Sequence, residues 1–184
     1  MTTFKEIRGT AIQSVSTDPS NPEIGQLWYN NSIGVLKGYA FTPAAWASGG
    51  NMGTGRSLFG SCGTQTAGLA FGSVAQTGTT EEYDGSAWTA GGSLATGRRD
   101  LAGAGLQTAA LAFGGQSPTT GATEEYNGST WTTVNPMSTA RYVLAGAGTQ
   151  TLGLAFGGIT GSTTAATEEW TGAGAPLTVT ITAS

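Results

Sequence analysis

"GRRDLAGAGLQTAALAFGG" (97–115) has two echoes in the same chain, and the three together decide the fold. It aligns without gaps with "GRSLFGSCGTQTAGLAFGS" (55–73) and "ARYVLAGAGTQTLGLAFGG" (140–158). Arg56, Arg98 and Arg141 coincide, as do Gln65, Gln107 and Gln150, at spacings of 42 and then 43 residues. A period in this range marks a repeat architecture, in which each unit buries its apolar face by stacking on the next. Inside the unit, "LAGAG" and "LAFGG" flank a polar Gln-Thr pair, the pattern of two strands joined by a tight turn. Leu111 and Phe113 alternate with Ala112, the period of a strand with one buried face. Gly114 and Gly115 then permit a sharp exit at positive φ. Gly and Ala dominate this first pair of strands, which suits strands crowded near an axis.

Each block then runs through a Thr/Gly/Ser-rich loop into a paired glutamate and an aromatic: "TEEYDGSAW" (80–88), "TEEYNGSTW" (123–131) and "TEEWTGAGA" (167–175). The Asp-Gly and Asn-Gly steps predict hairpins with primed turns, whose twist matches that of the strands. Each repeat is therefore expected to be four short strands, "LAGAG", "LAFGG", "TEEY" and "TWT", with the bulkier Tyr and Trp in the outer pair. The third repeat departs from this, with Trp170 in the tyrosine place and no tryptophan after it. Upstream, "VLKGYAFTPAAWASGG" (35–50) reads as the last two strands of a unit whose first half is missing, because Trp46 lies 42 residues before Trp88. At the other end, "PLTVTITAS" (176–184) alternates like a further strand with no specified partner.

A chain of 184 residues suits one domain of ordinary size with a small appendage. With 31 Gly, much Thr, five Trp and only 10% charged residues, it favours many short strands over disorder. The net charge of −4 comes with no basic stripe, which argues against a nucleic-acid partner. No stretch approaches a membrane span, and "MTTFKEIRGT" lacks the apolar run of a cleavable signal. The lone Cys62 stands where Ala104 and Ala147 stand, so a small buried side chain is expected rather than a reactive thiol. The chain has no histidine, which removes Ser-His-Asp and Cys-His nucleophiles and any histidine-based zinc or copper site. "GAGLQT" and "GAGTQT" lack the GK[ST] ending and the helix of a phosphate loop. The expectation is no enzyme and no cofactor.

An arginine at the start, a diglycine closing the second strand, then Tyr and Trp a few residues apart: this unit resembles the kelch repeat over about residues 55–170. The resemblance implies one four-stranded propeller blade per unit. Kelch propellers usually have more than three blades, and the separation of Tyr83 from Trp88 is slightly short for the pattern. Copper oxidases of that family use histidine ligands, so their activity is not implied here. The segment "VSTDPSNPEIGQLWYNNSIGVLKGY" (15–39) is of another kind: a Pro/Asn/Ser turn cluster, a strand, a turn and a second strand. It resembles the P-x-x-G-x-L-W-Y-N-x-x-x-G-x-L-K pattern of phage tail-fibre and other virion-appendage proteins, through Pro22, Gly25, Leu27, Trp28, Tyr29, Asn30, Gly34, Leu36 and Lys37. With the kelch-like units downstream, the whole is similar to repeat-bearing virion proteins of marine, especially cyanobacterial, phages. That likeness implies a trimeric attachment or collar region.

In a strand, neighbouring side chains point to opposite faces, so each Glu-Glu pair sends one carboxylate to each side. One reading leaves one carboxylate solvated and pairs the other with the repeat arginine, fixing register between units. The other gathers carboxylates to bind a cation or to act as acid and base. Arg56, Arg98, Arg141, Glu82, Glu125, Glu169, Trp88 and Trp131 are taken as the structural signature, with the tryptophans as packing anchors or, alternatively, sugar-stacking platforms. Trp28, Tyr29, Leu36 and Trp46 are the candidates for attachment and oligomerisation.

The fold expected is all-β: an attachment segment (1–40), then a repeat domain (41–184) with units at about 55–97, 98–139 and 140–184. The units form a partial propeller or prism completed by a homo-oligomer, with a trimer as first guess. The function expected is a virion component (tail fibre, appendage or decoration protein) made in the host cytoplasm and contacting other virion proteins. Its loops "VAQTGT" (74–79), "QSPTTGA" (116–122) and "ITGSTTAA" (159–166) would face outward, toward a host-surface glycan among other targets. The alternative is a non-viral carbohydrate-binding module or adhesin.

Overall fold

The computed structural model describes residues 12–40, 44–116 and 118–174, and every regular element among them is a strand. These strands form four separate sheets of three or four strands, none closed into a barrel. No helix among the described residues is long and apolar enough to cross a membrane. "PLTVTITAS" lies outside the described residues. The chain divides into two compact units, Met1–Ala47 and Ser48–Ser184.

In the first unit, β2 (Leu27–Asn30) and β3 (Val35–Gly38) form an antiparallel hairpin, and β1 (Gln13–Val15) adds to β2 in parallel. Alternation sorts the aromatic pair: Trp28 is buried, whereas Tyr29 is 40% exposed. Asp18 ties the buried face together. It accepts from Trp28 Nε1 at 3.0 Å, Asn30 Nδ2 at 2.8 Å and Lys37 Nζ at 2.5 Å. The expected half-unit at 35–50 is not formed, because Val35–Gly38 is spent on pairing with β2 and residues 44–50 carry no strand.

The hydrogen bonds from Lys37, Asn30 and Trp28 hold the Asp18 carboxyl down at about 2, from an ordinary value of 3.8. A depressed carboxylate stabilises the fold above its unfolded-state value and loses that contribution as pH falls through the folded one. The first unit is therefore expected to loosen between about pH 4 and pH 2. Amide exchange of residues 27–38 across that window checks this, and Asp18→Asn should show the loosened behaviour already at neutral pH.

The second unit holds three successive sheets. Sheet I is β4 (Gly60–Thr64), β5 (Ala67–Phe71), β6 (Thr80–Tyr83) and β7 (Trp88–Gly91). Sheet II repeats it with β8 (Ala102–Leu106), β9 (Ala109–Phe113), β10 (Thr123–Tyr126) and β11 (Trp131–Val134). Sheet III stops at three strands: β12 (Ala145–Gly148), β13 (Leu152–Phe156) and β14 (Thr167–Thr171). All are antiparallel meanders.

The first strands stack, β4 on β8 and β8 on β12. Their small residues make this possible. A Cβ on Gly103 would meet Phe71 Cζ at 2.5 Å, and one on Gly146 would meet Phe113 Cζ at 2.6 Å. Each phenylalanine is thus capped by a glycine of the next sheet. Phe71 and Phe113 are 0% and 2% exposed, but Phe156, with no following sheet among the described residues, is 39% exposed. Burying a ring of this size contributes about 1.5–3 kcal/mol.

Two local features differ from the sequence expectation or escaped it. The Asp-Gly and Asn-Gly hairpins are four-residue loops (84–87 and 127–130) in which Gly85 and Gly128, not the residue before them, take positive φ. The side chain decides this, because Asp84 Oδ1 accepts from the N–H groups of Ser86 and Ala87, both at 2.8 Å. Asn127 Oδ1 does the same for Ser129 and Thr130. Second, Leu58, Asp100 and Val143 all adopt left-handed backbone (φ 56°, 56° and 53°), unusual for side chains other than glycine. They form a ladder: Asp100 N–H donates to Leu58 C=O, and Val143 N–H to Asp100 C=O, both at 2.8 Å.

Candidate functional site

The repeat arginines stand at the head of each sheet, where the chain crosses from one unit to the next. Arg98 is 1% exposed and pairs with Glu124 at 2.5 Å. Its other donors go to carbonyls, Gly114 at 2.9 Å and Thr96 at 3.1 Å. The second Glu124 oxygen accepts from the Ala95 N–H at 2.7 Å, so the carboxylate locks the incoming chain to its own sheet. The same clamp recurs in the other sheets. Arg56 pairs with Glu81, which takes the Gly53 N–H at 2.6 Å. Arg141 pairs with Glu168 at 3.2 Å, and Glu168 takes the N–H of Ser138 at 2.7 Å. Burial works against the charge of Glu168, but the Ser138 hydroxyl and N–H, the Thr139 N–H and Arg141 outweigh it and hold the carboxyl below its usual range.

Each arginine therefore takes the first glutamate of its pair, not Glu82, Glu125 or Glu169. The second set faces the other side of the strand. Tyr126 donates its hydroxyl to Glu82 across the I–II boundary, and burial together with this bond pushes the phenol up to about 12. Glu169 is exposed. Among the described residues no group of three or more His, Cys, Asp or Glu could hold a metal ion. Cys62 packs against the core, and burial raises its thiol to about 12, which keeps it protonated and inert.

Trp131 is buried at the I–II boundary, whereas Trp88 is half-buried. Of the attachment candidates, Trp28 is packed inside its own sheet, while Tyr29 and Leu36 are opposite one another and both exposed. Trp46 is fully exposed. Sequence reading missed the role of the repeat glutamines, which is inter-sheet. Gln107 Nε2 reaches the carbonyls of Gly68 and Tyr83 at 3.0 and 2.8 Å, and Gln150 Nε2 those of Ala110 and Tyr126 at 3.1 and 2.7 Å. Their coincidence in the alignment was the available signal.

The loops after Gly72, Gly114 and Gly157 all join the second strand of a sheet to its third, so they leave the stack at equivalent points. The first is braced by Ser73 Oγ on Thr77 Oγ1 at 2.9 Å, the third by Thr164 N–H on Gly158 C=O at 3.0 Å. Fold and site together define a β-repeat architecture. Each buried arginine–glutamate pair clamps its own sheet rather than fixing register between units, the glutamines tie neighbouring sheets, and the loops after the second strands differ in sequence. No protein-family profile and no curated protein sequence matches the chain.

Proposed function

We propose that the protein is a structural component of a phage virion, a tail-fibre, appendage or decoration protein, built as a homo-oligomer of kelch-like units. The observation that carries this reading is the arrangement of loops. Three loops of different sequence leave equivalent points on one clamped frame, as in proteins that vary a recognition surface without altering its support. The "P-x-x-G-x-L-W-Y-N" segment adds support, since its hairpin presents Tyr29 and Leu36 outward as an apolar pair. A face of that kind suits docking on another particle protein or on a neighbouring chain.

Antibodies against the protein are expected to label purified particles. A Tyr29→Ala, Leu36→Ala double variant should enter particles roughly tenfold less, with circular dichroism of the repeats unchanged. Absence from particles, combined with binding on a glycan array, would make the chain a carbohydrate-binding module or adhesin instead.

A further inference from the structure

The boundary between sheets I and II is filled by Trp131. Its ring stands edge-on to Phe71 (centroids 4.9 Å, 63°), lies against Tyr126 at 4.8 Å, and donates Nε1–H to Thr80 Oγ1 at 3.0 Å. One repeat on, the equivalent partners are Phe113, Trp170 and Thr123. These three line an open cleft of about 80 Å³, because sheet III has no fourth strand among the described residues. A second groove, lined by Val134 of sheet II and the adjoining Asn135 and by Trp170, Thr171 and Gly172, lies at the end of β14.

The chain carries an orphan tryptophan for this place. The segment that follows Trp46 already sits as the end of a fourth strand does. A Cβ on Gly49 would meet Tyr83 Oη at 2.8 Å, as one on Gly91 would meet Tyr126 Oη at 2.7 Å. Gly50 lies against Ser86 O (2.0 Å) as Gly92 lies against Ser129 O (2.1 Å). Gly53 N–H then binds Glu81 as Ala95 N–H binds Glu124. Trp46 precedes Gly49 by the interval that separates Trp88 from Gly91.

We propose that residues 44–48 of one chain form the fourth strand of sheet III in a second copy of the chain, with Trp46 seated in the cleft on Phe113, Trp170 and Thr123. The same chain cannot supply it. Trp46 is three residues from Gly49, a reach of about 10 Å, while two sheet spacings, on the order of 20 Å, separate Tyr83 from the cleft.

The rest of the joint follows from the internal boundaries. Gln65, exposed in the single chain, meets the carbonyls of Gly153 and Trp170, as Gln107 and Gln150 meet theirs. Tyr83 donates to the exposed Glu169 as Tyr126 does to Glu82. Leu58 N–H continues the left-handed ladder onto Val143 C=O. One position differs: Ser61 stands where Gly103 and Gly146 stand, so the Phe156 ring turns aside at the joint. The joint is made twice. Rings of such sheets close with about four to eight, a range that two three-sheet chains meet and one or three chains do not. The pair thus replaces the trimer suggested by the sequence. This inference rests on the self-assembly in the proposed function and not on the virion.

Light scattering on the purified protein is expected to give twice the chain mass of 18.4 kDa. Trp46→Ala should leave single chains, and Gln65→Ala should raise the dissociation constant about tenfold. Both side chains are exposed, so circular dichroism should not change in either variant. On a Cys62→Ala background, a chain carrying Ala47→Cys is mixed with one carrying Glu169→Cys, positions opposed in the register that pairs Thr132 with Glu125. A two-chain disulfide is expected in the mixture and in neither chain alone. A one-chain or three-chain mass for the unaltered protein overturns the proposal, as does a mixture without disulfide. An unchanged mass for Trp46→Ala also overturns it. Because these are solution measurements, they stand whether or not the protein is found in particles.

Discussion

Arg98→Ala is expected to destabilise the repeat unit by about 3–5 kcal/mol, the cost of stranding a buried carboxylate. Glu124, the carboxylate concerned, is 1% exposed, and its remaining partner would be a single backbone N–H from Ala95. The carbonyls of Gly114 and Thr96 would lose their donor as well. In a unit of this size the melting temperature should fall on the order of 10 °C. A double replacement, Arg98→Met with Glu124→Leu, should recover most of the loss, because apolar groups of similar volume need no partner. Arg99, whose side chain is 33% exposed, provides the control, and its replacement by Ala should cost less than about 1 kcal/mol. Thermal melts of the three variants decide between a clamp and a solvated charge. Equal melting for Arg98→Ala and the unaltered protein would remove the clamp from the account of stability.

The second large effect is expected at Trp131. Its replacement by Ala removes the edge contact to Phe71, the stack on Tyr126 and the bond to Thr80, and opens a cavity between sheets I and II. Truncations of this kind cost about 3–5 kcal/mol. Trp88, its counterpart one repeat earlier, stacks on Tyr83 at 5.1 Å but is only half-buried. In single chains Trp88→Ala should therefore cost about 1–2 kcal/mol. The comparison is best made by urea unfolding in a Trp46→Ala background. Equal losses at the two positions would mean that the boundary between sheets does not depend on its tryptophan.

What the sequence made legible was what repeats. The coincidence of Arg56, Arg98 and Arg141 predicted three equivalent units, and the Gly/Ala strands predicted close stacking. The sequence offers the Arg–Glu pairing as one of two readings, but the signature drawn from it names Glu82, Glu125 and Glu169, whereas their neighbours Glu81, Glu124 and Glu168 serve. Strand alternation separates Glu124 from Glu125 without saying on which face the arginine's arm will lie. That depends on how the chain returns from the previous sheet, a three-dimensional matter. The hairpin loops were misjudged because Asp84 and Asn127 act through their side-chain oxygens, and the dipeptide alone does not reveal that competition. Asp18 belongs to no repeat, and its link to Trp28, Asn30 and Lys37 has no periodic signal. Trp46 falls in phase with Trp88 along the sequence, but the strand pair expected at 35–50 does not form, because the first unit uses residues 35–38 for itself.

Among the described residues of a single chain, sheet II has a neighbouring sheet on both faces, whereas sheets I and III each have one. Thermal opening of a single chain therefore has an order. An outer sheet can detach while losing one boundary, whereas the middle one must lose two, so fraying begins at the ends and moves inward. The three loops consequently ride on supports of unequal stiffness. In a single chain the loop after Gly114 is held by the sheet with two neighbours and the loop after Gly157 by a sheet with one, a difference that pairing of two chains would remove. A target gripped by all three loops of a single chain would have to quench the breathing of both outer sheets, whereas in a closed pair assembly has already done so, and the entropy lost on binding differs accordingly.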